Sequence, residues 1–456
     1  MTSMQALISR QRQFFDSGKT RPLEFRAAQL KKLKAAMKEM EPDLLAALKQ
    51  DLGKSEFEGY TSEIGFTHEE INHTIKHLAD WARPRRVGTP IVLHPAQSTV
   101  FPQPKGVVLI ISPWNYPFQL LMSPLVASIA AGNCAVLKPS EIAPATAKAV
   151  ERLVERIFSP EYCAVVGGGV PETTALLAER FDHIFFTGSI PVGRIVLRAA
   201  AEHLTPVTLE LGGKSPCIID KDVDVAVAAR RITWGKYFNA GQTCVAPDYL
   251  LVHKDVKKDL MAGIKQSLKD FFGDDPKLSP DYPRIVSERH FDRLVGLLGE
   301  GETIIGGTHD RSQKYIAPTV VGGVTLKSKV MEDEIFGPIL PVLEIGGIDE
   351  AMAVVRERPN PLALYVFSKN DALTDRVVDE IPFGGGCVNN ALIHLANPNL
   401  PFGGIGQSGM GAYHGKTGFD TFSHMKAVVK TPMSVDIKLK YPPYGKRLGL
   451  IKKLMR

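Results

Sequence analysis

Cys244 closes the run Gly241-Gln242-Thr243 in the stretch FNAGQTCVAPDY, and a thiol in that setting is a candidate nucleophile. The glycine three positions earlier allows the backbone to approach a ligand closely. No histidine flanks the cysteine, so a papain-like Cys-His hydrolase would need one from elsewhere in the chain; a small buried apolar thiol is the alternative. Glu210 lies between two leucines in TLELGGKSP, where apolar surroundings raise a carboxyl pKa toward the range of a general base. The alternative there is a strand-edge glutamate paired with a lysine such as Lys214. Asn115, in SPWNYP, has its backbone fixed by flanking prolines and can present a rigid amide donor to an oxyanion, although asparagine is also a common turn residue.

Two further stretches suit a nucleotide. TGSIPVG follows the strand-like IFF and opens a helical segment, so the backbone around Gly188, Ser189 and Gly193 can face a pyrophosphate, or can form an ordinary strand-to-helix turn. KPSE places Lys138 and Glu141 three residues apart at a strand end, where they can bind ribose hydroxyls; the competing reading is the first turn of a helix. The cysteines show neither a CxxC pair nor zinc-ligand spacing, so no metal is expected.

These residues need a scaffold, and the rhythm of the chain predicts one. Leu23, Ala27, Leu30, Leu33 and Met37 have helical spacing, and Pro42 restarts a helix that runs to Leu52. Residues 61–82 read as a further helix. Residues 88–103 carry scattered prolines and short β-branched runs, which predicts an exposed hairpin or arm. Buried-strand runs at 107–111, 135–137, 164–166 and 183–186 then alternate with helix-length segments, the pattern of βαβ units in a parallel sheet. Ligands bind such sheets at the carboxyl ends of the strands, where SPWNYP, KPSE, GGG and TGSIPVG all fall. From Glu210 onward PCIID, YLLVH, TIIGG, ILPVLE and LALYVFS predict a second α/β domain, and 400–415 reads as a long glycine-rich loop, with a flexible linker as the alternative.

A chain of 456 residues is too long for one ordinary core and predicts two or three domains. The five cysteines, Cys134, Cys163, Cys217, Cys244 and Cys387, are odd in number and read as reduced thiols in a cytoplasmic protein. No secretory signal or transmembrane span is expected, because the apolar region near 107–137 is broken by Pro, Asn and Gly. The net charge is +6, but basic residues are mostly dispersed, so no nucleic-acid partner is expected; seven of them crowd residues 437–456.

Taken as a set, PWNYP, KPSE, FTGSIPVG, LELGGKSP, GQTC, EIFGP and PFGGIGQSG stand in the order and approximate spacing of the aldehyde dehydrogenase superfamily, from RPLEFRAAQL to FSHMKAVV. The chain resembles the class 3 branch, of fatty- and medium-chain aldehyde enzymes, through LELGGKSPCI, NAGQTCVAPDY and PFGGIGQSGMGAYHGKTGFDTFSH. The resemblance implies an α/β aldehyde dehydrogenase-like fold: a Rossmann-like cofactor domain over 1–209 with an arm near 88–103, and an α/β catalytic domain over 210–399. A returning loop and bridging strands over 400–436 would complete a small β arm, followed by a basic tail over 437–456. It also implies a homodimer paired through the arm.

By the same resemblance Cys244 is the nucleophile, Asn115 and the Cys244 backbone N–H hold the oxyanion, and Glu210 is the general base. Lys138 and Glu141 would bind the adenosine ribose, and Gly188, Ser189 and Gly193 would border the pyrophosphate. Glu334 would hold the nicotinamide ribose with Phe336 beside it. Asn389 and the loop 401–404 would shape the substrate side. The implied activity is oxidation of an aldehyde to a carboxylic acid with NAD or NADP, through a thiohemiacetal and a thioester. Two alternatives are a thiol esterase without redox and a non-catalytic membrane-surface protein that keeps the fold. The tail, which places Leu448, Leu450, Ile451 and Leu454 among lysines and arginines, can lie on an anionic membrane surface but cannot span one.

Overall fold

The computed structural model describes residues 3–454. Apolar β-branched runs bounded by turn residues become fully buried strands: Val107–Ile111, Cys134–Lys138 and most of His183–Gly188 have no exposed position. The six-stranded sheet runs Gly409–Met410, Val207–Leu211, His183–Gly188, Val107–Ile111, Cys134–Lys138, Cys163–Val165. All neighbours are parallel except the first pair. Helices Gln119–Ala131, Pro144–Ile157 and Ile190–Ala201 connect the strands, and the first of these is buried at every position because the N-terminal helices cover its outer face.

The chain leaves this sheet after Leu211 and enters the second at Pro216, so position 210 falls within a strand of the first sheet. The second sheet has seven strands in the order Glu302–Ile305, Thr319–Gly322, Ile339–Ile345, Tyr249–His253, Pro216–Ile219, Ala363–Phe367, Gly385–Val388. A separate three-stranded antiparallel sheet joins Arg85–Val87, Gln97–Pro104 and Ser423–Lys430. Every residue of Ser423–Lys430 after Ser423 is exposed, while Gln97–Pro104, from the proline-spaced segment, is mostly half-buried beside it.

Leu23–Glu39 ends and Glu41–Leu52 begins around Pro42, as the spacing predicts. The helix expected over 61–82 is different in detail: a short helix Glu56–Gly59 runs through a π-helical turn, Tyr60–Ile64, into Gly65–Ala82. A π turn adds one residue within a single turn, a local shift that spacing read over a whole helix does not resolve. The segment 400–415 is no flexible linker. Phe402 bridges Tyr413, and Gly409 pairs with Glu210 at the edge of the first sheet. Beyond Lys430 the chain is largely exposed up to a short helix, Leu448–Leu454, and among the described residues no helix is long and apolar enough to cross a membrane.

Candidate active site

Helix Val225–Tyr237 delivers the chain into a reversal at Phe238–Gly241, where Asn239, Ala240 and Gly241 take left-handed φ values of 52°, 51° and 74°. A Cβ on Gly241 would lie 2.3 Å from the carbonyl oxygen of Gly337, so only glycine fits. Side chains hold the strained turn in place. The Asn239 amide donates to the carbonyls of Asn115 (2.9 Å) and Gln242 (3.1 Å). The Gln242 side chain donates to Asn239 and Arg284 carbonyls and accepts from the Val286 N–H at 3.0 Å. Cys244 emerges from this turn half-buried, and burial pushes its thiol pKa up, with Glu334 and Glu210 adding to the shift.

Asn115 and Glu210 are both buried, at 2% exposure. The Asn115 amide nitrogen donates to the Gln242 carbonyl at 3.0 Å, which leaves its second N–H available, and its oxygen has no partner. Neither carboxylate oxygen of Glu210 has a partner, and burial holds this carboxyl well above the usual range. Lys214 does not pair with it. Its ammonium instead binds the Asp248 carboxylate and the carbonyls of Val330 and Asp333.

Cys244 lines an apolar cavity of about 430 Å³. Tyr116, Leu120, Leu392, Phe402 and Tyr413 form much of its wall, while Phe57, Trp234 and Ile393 are exposed at its rim. The Tyr116 hydroxyl and Thr243 Oγ1 are 2.7 Å apart, which ties that wall to the residue before Cys244. His414, also on the wall, has its pKa lowered to about 3 by burial, so it is a neutral imidazole at physiological pH.

The other flank suits a nucleotide. Lys138 ends its strand with the ammonium bound to the Pro139 and Gly168 carbonyls and 3.9 Å from Glu141. Glu141 lies in a turn and the following helix starts only at Pro144, so KPSE is not a helix's first turn. Ser189 caps helix Ile190–Ala201 without a side-chain cap bond, leaving first-turn N–H groups unused, and Gly193 packs that helix on Leu211. Gly188 ends the preceding strand. Burial, followed by Asp248, raises the Glu334 carboxyl to about 8. A Cβ on Gly212 would come within 2.0 Å of Glu334 Oε2, so the glycine makes the space this carboxyl occupies. Phe336, at φ 51°, stands edge-on to Trp114 with centroids 5.2 Å apart.

The donor set fits a dinucleotide. Ser112, Thr187 and Glu210 lie at the carboxyl ends of three adjacent strands and keep buried, unpartnered oxygens there. Unsatisfied buried polar atoms grouped in this way mark where a polar ligand enters.

Cys244 lines the cavity, the Asn115 amide is tied to the Gln242 carbonyl two residues before it, and the charges of Glu334 and Glu210 both bear on the thiol. Asn389 is elsewhere: its amide is spent on both backbone groups of Ser368. Of the loop 401–404, Phe402 reaches the cavity. Sequence reasoning missed Lys54, Glu63 and Asp248, buried groups that support the site. No local motif marks them, because each acts on a segment distant in the chain.

Known proteins resemble this chain over nearly its whole length. The model of the aldehyde dehydrogenase family matches residues 2–428. The 4,4'-diaponeurosporen-aldehyde dehydrogenase of Staphylococcus aureus is 48% identical over 441 residues, 96% of each chain. A dimeric NADP-preferring aldehyde dehydrogenase of Rattus norvegicus is 47% identical over 445 residues, 97% of this chain and 98% of the other. A substrate-bound state of Staphylococcus aureus AldH superposes with a TM-score of 0.98 at 46% identity, covering 100% of both chains. The chain therefore belongs to the aldehyde dehydrogenase family and carries that family's activity, NAD(P)-dependent aldehyde oxidation.

Proposed function

We propose that Cys244 is the nucleophile of this oxidation, Asn115 its oxyanion donor and Glu210 its general base. The observation that carries this reading is a buried Glu210 carboxyl with no hydrogen-bond partner, whose charge bears on the Cys244 thiol that lines an apolar cavity. In the resting enzyme both groups favour their neutral forms. Attack on the aldehyde carbon requires the thiol proton to leave, and Glu210, once its carboxyl has ionised, can take it on an oxygen that no protein group occupies and pass it on to solvent. The thiohemiacetal oxygen then gains negative charge beside the spare N–H of Asn115 and the backbone N–H of Cys244. When bound, the nicotinamide supplies the hydride acceptor, and the carbon on Cys244 becomes a thioester. Glu210, ionised again, then removes a proton from water as the water oxygen adds to the thioester carbon; the carbon–sulfur bond breaks, the acid is released, and the proton returns Cys244 to its thiol.

Lys138 and Glu141 would hold the adenosine ribose, the backbone from Gly188 and Ser189 to Gly193 the pyrophosphate, and Glu334 the nicotinamide ribose, with Phe336 against it. On this reading residues 1–209 form the cofactor unit and 210–399 the catalytic unit, while 400–436 return to the first sheet and the arm. The cavity favours an apolar aldehyde, in line with the name of the Staphylococcus aureus relative. The arm, with Met425, Val428 and Val429 exposed, supports a homodimer, and the rat relative is named dimeric.

The cytoplasmic placement rests on five free thiols. A peripheral contact of the tail with anionic membrane rests on exposed Met433, Ile437, Tyr441 and Leu448 among the lysines. Removal of residues 437–456 should abolish co-sedimentation with phosphatidylserine vesicles; equal sedimentation of both forms would dismiss the contact.

Reduced-cofactor absorbance over a panel of aliphatic and aromatic aldehydes, with NAD and with NADP, tests the assignment. Wild type should reduce cofactor and Cys244→Ala should not. Turnover by the variant would move the nucleophile elsewhere.

A further inference from the structure

We infer that the buried Lys54–Glu63 pair is a positioning device for the oxyanion-binding amide of Asn115, acting through that residue's backbone. The inference rests on the role proposed above for Asn115. Lys54 and Glu63 side chains are both 0% exposed, with Nζ 2.5 Å from Glu63 Oε1. The ammonium also donates to the Asn115 carbonyl at 3.1 Å and lies 4.0 Å from the centroid of the Tyr116 ring. Glu63 Oε2 accepts the N–H groups of Phe118 (2.9 Å) and Gln119 (3.1 Å), where helix Gln119–Ala131 begins. Nearly every donor and acceptor of the pair is therefore spent on the segment 115–119.

The Asn115 carbonyl takes bonds from both Lys54 and Asn239, while its side-chain amide is tethered to Gln242, two residues before Cys244. Fixing the backbone at one end and the amide at the other leaves the free N–H one direction to point. Stability alone does not call for such a pair, since a buried ion pair is seldom better than apolar residues of the same volume. What an apolar pair cannot do is hold a carbonyl and two helix-start N–H groups in register. The π-helical turn Tyr60–Ile64, which carries Glu63 inward, is a local irregularity of the kind found at functional sites.

The test compares Lys54→Met/Glu63→Gln, which removes both charges of the pair together, in the wild-type and Asn115→Ala backgrounds. The readouts are kcat, KM for aldehyde, cofactor Kd and Tm. In the wild-type background kcat should fall about 10²-fold, the cost of misplacing a reacting group by about 1 Å, with cofactor Kd unchanged. In the Asn115→Ala background the same change should cost less than about threefold, because the residue it acts through is gone. An equal loss in both backgrounds, or kcat within about threefold of wild type in the folded double variant, would overturn the inference. Glu63→Gln alone, nearly isosteric, gives the same comparison if the double variant does not fold. Full turnover by Asn115→Ala would instead overturn the oxyanion role of Asn115, and the inference with it.

Discussion

Two corners flank Cys244, and each is framed by a buried lysine–carboxylate pair that spends its hydrogen bonds on a distant backbone segment. On the substrate side Lys54 and Glu63 hold residues 115–119. On the cofactor side Lys214 holds the Val330 and Asp333 carbonyls while Asp248 accepts the Ile335 N–H, on either side of Glu334. The corners differ in what they present. The first offers a neutral amide beside apolar walls and carries no charge to the reacting atoms. The second offers a titratable carboxyl, raised to about 8 by burial and then by Asp248. On the roles proposed above, one scaffold strategy serves two ends: a fixed dipole where charge develops on an oxygen, and an adjustable charge where a polar ligand comes and goes.

The largest effect is expected at Glu210, whose buried carboxyl has no hydrogen-bond partner. Glu210→Gln should lower steady-state kcat by about 10²- to 10⁴-fold, the range of a positioned general base. If its larger duty is deacylation, rapid-quench kinetics will show a burst of reduced cofactor followed by stalled release; a slowed burst would place it mainly at thiol activation. Next in size, Lys214→Met should weaken cofactor binding about tenfold by loosening 330–335 and stranding the Asp248 charge. It should leave the cofactor-free alkylation rate of Cys244 unchanged. The converse pattern, intact Kd with altered thiol reactivity, would break the division of labour between the corners.

The smallest effect concerns pH. With its pKa raised to about 8, Glu334 is mostly neutral below that value and ionised above it. Ribose hydroxyls donate better to a carboxylate, so cofactor affinity measured by fluorescence should tighten as pH rises through about 8. Glu334→Gln should flatten that dependence; a wild-type profile level from pH 6 to 9 would remove Glu334 from the ribose site.

The parts legible in the sequence are those set by local chemistry. Continuous β-branched runs placed the strands at 107–111 and 183–186, and turn residues placed SPWNYP and TGSIPVG at their ends. Glu210 between leucines announced a desolvated carboxyl, which the unpartnered oxygens bear out, whereas the pairing of Lys214 with Asp248 gave no local sign. Lys54 and Glu63 were invisible for a related reason. They meet across a π turn inside an apparently regular helical pattern, and their targets lie more than fifty residues away. The cavity wall combines residues from 57 to 414, so no window of sequence contains it. Asn389 sits beside a strand end at φ 57° and binds both backbone groups of Ser368, a structural duty that its sequence context does not announce.

The account turns on a covalent bond to Cys244. The direct measurement is mass spectrometry of the wild-type enzyme, acid-quenched within milliseconds of mixing with cofactor and a medium-chain aldehyde, followed by proteolysis. The account predicts an acyl mass on the peptide containing Cys244 and none on the Cys244→Ala counterpart. An adduct on another residue, or wild-type turnover by Cys244→Ala, would contradict it.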